Sequence, residues 1–151
     1  MPSPSDLLPR SLRDRRGASA VEFALVAPVL LLMIAGLIDG SRLIVRTMQV
    51  RAAAQAGADS ALRHGWDLAR IQTAVRGATP LAAQASPAPA QMQGCVVAGA
   101  VAPAAGPTCP NGGAAGRFVT VWAQAPFAPL MPWPGVPLPK RVTAQAQVRI
   151  P

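Results

Sequence analysis

Glu22 is the only glutamate in a chain of 151 residues, and it stands inside the most apolar stretch. From Ala18 to Ile38 no other residue carries a charge. A carboxylate in a bilayer costs about 3 kcal/mol on insertion scales, so it normally has a partner, a function or a route to the interface. Two chemistries fit this spacing. A cut between Gly17 and Ala18 would leave a new α-amino group about one helical turn from Glu22. Glu22 of one subunit could then pair with the Ala18 amine of a neighbour and set the axial register of packed helices. Alternatively, Glu22 serves only its own helix, where a carboxylate near the N-terminus gains about 0.3–1 kcal/mol from the dipole.

The other reactive side chains assemble no catalytic set. His64 is the single histidine, and no Ser/His/Asp group, Cys/His pair, metal cluster or phosphate-binding glycine loop can be built around it. An enzyme is therefore not expected, nor is a metal or any other cofactor. Cys95 and Cys109 are the two cysteines, separated by a Pro/Gly/Ala-rich segment. They read as a disulfide formed in an oxidising compartment, or as two unrelated small apolar residues. The even pair favours the disulfide, which would stabilise the fold by about 3 kcal/mol in the chain-entropy model.

The formal net charge is +8, from 14 Lys+Arg against 6 Asp+Glu. Nucleic acid is not the partner this implies. The arginines are strung out along the chain, and three Phe, three Trp and no Tyr leave little for base stacking. A solvated or headgroup-facing basic face is the simpler reading.

The elements that must position Glu22 are legible from pattern. Residues 1–17 are polar, basic and proline-containing, and read as a disordered cytoplasmic leader. Ala18 to Ile38 would span roughly 30 Å as a helix, the hydrocarbon thickness of a bilayer. Arg10, Arg13, Arg15 and Arg16 precede it, against Arg42, Arg46 and Arg51 beyond, a weak positive-inside bias. With the cysteines it places the N-terminus inside and the C-terminal domain outside. The apolar run is too long for a secretory signal core, and no small-residue cleavage site is well placed after it. Pro28 should kink or loosen the helix. Gly36 and Gly40 form a GxxxG spacing that permits close helix approach, although Gly and Ala are simply frequent here.

The helical pattern continues beyond the apolar run, with Leu43, Val50, Ala53, Gly57 and Ala61 in phase, to a stop at His64-Gly65. Residues 18–64 thus form one membrane and extended helix. Residues 65–116 comprise a short helix over Trp66 to Arg76, stopped at Gly77, then a Pro/Gly/Ala-rich loop region in which Cys95-Val96-Val97 forms an edge strand. Residues 117–151 hold two alternating strands, Arg117 to Ala125 and Arg141 to Ile150, expected as antiparallel neighbours. The Pro126 to Pro139 loop between them carries Phe127 and Trp133, either as a partner contact or folded back over a small core. The fold class is α+β: a single-pass N-terminal membrane helix, extended outward, then a small antiparallel β domain.

The run RRGASAVEFALVAPVLLLMIAGLIDGSR, with Glu fifth and Phe23 sixth after Gly17, resembles the type IV prepilin motif. From Arg15 to about Gly65 the chain is similar to the TadE-like family of minor pilins or pseudopilins of tight-adherence (Flp-type) pilus systems. A looser resemblance runs through the cysteines and the closing strand–loop–strand. It implies prepilin-peptidase cleavage between Gly17 and Ala18, with Glu22 as the register-setting carboxylate and Phe23 at the aromatic place. It also implies an inner-membrane protein with a periplasmic domain, whose partners are other pilins, the peptidase and an assembly platform. The chain departs from the family at Asp39-Gly40-Ser41-Arg42 and in lacking tyrosine after its long helix. An uncleaved, membrane-anchored envelope binding protein is the alternative.

Overall fold

The computed structural model describes residues 15–151; the expected leader falls almost wholly outside them. Helix α1 (Arg15–His64) is continuous and passes through Pro28. The chain divides into two compact units, Met1–Gly40 and Ser41–Pro151. In the first, the described residues are helical, and Val21, Phe23, Leu25, Leu31, Met33 and Leu37 are all exposed.

In the second unit, α1 ends where Gly65 adopts φ +75, a left-handed conformation that suits glycine after a helix. Arg63 and His64 occupy the last turn, where cations complement the dipole. Helix α2 (Leu68–Gly77) starts later than the expected Trp66, because Asp67 is an extended N-cap whose side chain accepts from the Arg70 N–H at 3.1 Å. Gly77 is the last helical residue and not the stop: the C-cap is Ala78, in right-handed conformation.

Four strands follow: β1 (Ala90–Val97), β2 (Ala100–Pro103), β3 (Gly116–Pro126) and β4 (Arg141–Ile150). They form one antiparallel sheet in the order β2-β1-β3-β4. The expected pairing of the last two strands is present, from Arg117↔Ile150 to Pro126↔Arg141. The Ala78–Gly116 region is not all loop, and Cys95-Val96-Val97 is not an edge strand. It ends an eight-residue strand that pairs with β2 through Gly94 to Val97 and with β3 through Ala90 to Gly94. Its Ala, Gly and Gln content carries weak strand propensity, so neighbouring strands impose the conformation. The β1–β2 turn is Ala98-Gly99, both at positive φ (50 and 81), as a two-residue hairpin of primed type requires.

The core lies between the second half of α1, α2 and one face of the sheet. Val50, Ala53, Ala54, Ala58 and Ala61 meet Ile71 and Val75 of α2, and Val119, Val121, Ala123 and Val142 of the strands. Small residues let the helix lie close. At Gly57 a Cβ would stand 2.7 Å from Val75 Cγ2 and 2.8 Å from Val121 Cγ1, so only glycine fits.

Candidate functional site

Gly17, Ala18, Glu22 and Phe23 lie on the opening turns of α1, and all four side positions are exposed. A Cβ on Gly17 would meet nothing within 4 Å. Ala18 and Glu22 are four residues apart, so they are neighbours on one helix face. Gly40 stands 18 positions beyond Glu22, about five full turns at 3.6 residues per turn, which returns it to the same face. Gly36 lies one turn before it on that stripe, half-buried, and Gly40 is exposed with nothing within 4 Å of a Cβ. Ala18, Glu22, Gly36 and Gly40 therefore form a single line along α1: a carboxylate at one end and two small residues at the other. Such a line can pack against a neighbouring helix and fix how far one slides past the other.

Asp39 was not singled out from the sequence beyond marking the end of the apolar run. It is 3 % exposed, the one buried charged side chain among the described residues, and it is engaged. The signal available was an acid directly after a membrane-length run, which a bilayer would tolerate only if satisfied.

The cysteines are joined. Cys95 and Cys109 form a disulfide with Cα atoms 5.6 Å apart, enclosing β2 and the turn that follows it. Cys109 donates its N–H to Gly113 O and accepts from the Gly112 N–H, so the far anchor of the bridge is itself a tight turn. His64 Nδ1 lies 3.2 Å from Ser60 O, a local helix contact.

The Pro126–Pro139 loop divides its apolar residues. Phe127 is not a surface contact. It is 6 % exposed, joins the core cluster, and donates its N–H to Lys140 O, extending the β3–β4 ladder by one pair. Trp133 is half-buried and engaged, while Leu130 and Val136 face outward. The loop thus both covers the core and leaves an apolar tip, and residue parity decides which does which: Phe127 continues the inward-facing phase of β3.

The fold and this N-terminal line define an α+β protein with one long N-terminal helix apolar enough to cross a membrane, followed by a small antiparallel sheet. Residues 17–59 match the model of the family described as TadE-like protein, the family this chain resembles. No curated protein and no solved structure matches the chain. The matched segment begins at the glycine of the expected cleavage pair and contains Glu22, Phe23, Gly36, Gly40 and Gly57. The matched residues lie within the helix that is long and apolar enough to cross a membrane.

Proposed function

We propose that this chain is a TadE-like minor pilin or pseudopilin that supports assembly of an Flp-type pilus from the bacterial inner membrane. Its role is structural and not catalytic. The N-terminus lies in the cytoplasm, prepilin peptidase cuts between Gly17 and Ala18, and the disulfide-bearing domain lies in the periplasm. Once in the bilayer, Glu22 needs a countercharge, and the new amine on Ala18 of an adjacent pilin supplies it. Gly36 and Gly40 let that neighbour approach at the other end of the same stripe. Other pilins, the peptidase and a membrane assembly platform are the partners.

The observation that carries this reading is the alignment of Ala18, Glu22, Gly36 and Gly40 on one face of α1, within a segment matched by the TadE-like family. Intact-mass and N-terminal analysis of the membrane-bound protein, from strains with and without the peptidase, tests it. The expected N-terminus is Ala18 only where the peptidase is present; the same uncut chain in both strains would refute processing. A second reading, a passively anchored binding protein, draws on the exposed Leu130 and Val136 of the loop.

A further inference from the structure

β4 ends the sheet, and its backbone is open on one side. Gln124 of β3 exchanges both backbone hydrogen bonds with Gln84, at 2.9 Å each, on the side away from β4. Antiparallel ladders alternate, so Val119, Val121 and Ala123 turn their N–H and C=O toward β4, where they face Val148, Ala146 and Ala144. Phe127 donating to Lys140 O continues the same phase. Thr143, Gln145 and Gln147 of β4 therefore direct their N–H and C=O outward, with no strand beyond them among the described residues.

Natural edges are usually blunted by proline, lysine, a bulge or cover. This one has none of these between Val142 and Val148, and its pairing with β3 is unbroken over its whole length. The glutamines do not cap it either. Gln145 Oε1 accepts from Trp122 Nε1 at 3.2 Å, and Gln147 Nε2 donates to Thr120 Oγ1 at 3.1 Å, both toward β3. Beside the edge runs an open groove of about 730 Å³, lined by consecutive residues Thr143 to Val148 and, across it, by Arg51, Gln55 and Asp59 of α1. Neither Arg51 nor Asp59 has an ion-pair partner among the described residues, and both are exposed. Four helical residues rise about 6 Å and two strand residues about 6.7 Å, so Arg51, Gln55 and Asp59 keep step with alternate side chains of a strand laid in the groove.

We propose that the free edge of β4 receives an added β-strand from a different protein subunit. That strand is acidic over Arg51 and, four residues away, basic over Asp59. Main-chain bonds to Thr143, Gln145 and Gln147 supply affinity, and the two opposite charges select the segment. A second copy of this chain is the poorer occupant. Its own β4 carries Arg141 and Arg149 and no acid to set over Arg51. The inference concerns the Ser41–Pro151 unit alone and does not depend on cleavage at Gly17.

The test uses the full chain in detergent micelles and two synthetic peptides of about nine residues. Both carry threonine at even positions and glutamine at the fifth. One has glutamate third and lysine seventh; the other has them exchanged. One peptide should slow amide exchange at Thr143, Gln145 and Gln147 about tenfold and bind about fivefold tighter than the other. The Arg51→Glu/Asp59→Arg protein should reverse that preference. Thr143→Pro, which removes an edge N–H and no internal ladder bond, should weaken binding of the preferred peptide without lowering the thermal midpoint. The proposal is overturned if neither peptide protects those amides, or if the double variant keeps the original preference. Protection already present in a peptide-free dimer would overturn the choice of a different subunit.

Discussion

Apolar side chains fill most of α1 between Ala18 and Ile38 and about half of it between Ser41 and His64, and the two stretches meet opposite fates. Between Ala18 and Ile38 the large side chains are exposed: Leu25 at 72 % and Leu37 at 76 %. Between Ser41 and His64 the buried positions are Val50, Ala53, Ala54, Gly57, Ala58 and Ala61, four of them alanine. A folded chain leaves scattered apolar residues outside, but not a run this long around a whole helix, and the first half is long and apolar enough to cross a membrane. The second half trades side-chain bulk for proximity, because its partner is the chain's own sheet. Hydrophobicity and side-chain size both separate the halves: Glu22 is the one charge between Ala18 and Ile38, whereas the second half carries Arg42, Arg46, Arg51, Asp59 and Arg63 and buries mostly small residues.

The largest difference should appear on deleting the same chemistry from each region. Ile71, 0 % exposed, packs against the second half of α1, and Ile71→Ala should cost the domain about 2–5 kcal/mol in denaturant unfolding. Leu31→Ala, at a side chain 66 % exposed, should leave that unfolding unchanged. A loss of equal size from both would mean that the apolar run is folded against the domain and is not free for other helices.

Next in size is the disulfide. Replacing Cys95 and Cys109 by serine opens a loop with a sequence separation of 14, at a cost of about 3 kcal/mol. Unfolding with and without reductant should converge for the double variant. Membrane extraction of the protein should be unaffected, since the bridge belongs wholly to the second unit.

A smaller effect sharpens the contrast between glycines. Gly57→Ala drives a methyl group to 2.7 Å from Val75 Cγ2 and should lower stability by about 1–3 kcal/mol. Gly40→Ala, with nothing within 4 Å, should leave the thermal midpoint of the domain in place and act only on helix association, read by cross-linking in the membrane.

Much of this was legible in the sequence. The long helix, its stop at Gly65, the cysteine pair and the β3–β4 pair follow from local pattern: periodicity, a left-handed glycine, strict alternation. What escaped was non-local. β1 and β2 are diluted by Ala, Gln and Gly, which have little preference for strands, and they are strands because β3 offers β1 a ladder and β1 offers one to β2. Phe127 sits in a run of prolines that reads as exposed loop, yet it keeps the inward parity of β3 for one more pair. Gly57 was visible only as one member of a helical stripe, because its importance depends on Val75 and Val121, distant in sequence. At the candidate site the stripe residues could be named from spacing, while the open edge of β4 needed the hydrogen-bond phase set by Gln84 and Gln124.

The central claim is that residues Ala18 to Ile38 act as an assembly surface as well as an anchor. The direct test replaces this segment with an unrelated membrane-spanning helix, keeping Gly17 and the domain from Asp39 onward, and measures pilus output from cells lacking the native protein. The account predicts normal membrane insertion and lost pilus output, with Glu22→Ala in the otherwise native chain giving a milder loss. Full pilus output from the swapped protein would contradict it, and would leave the anchor passive and the function in the domain alone.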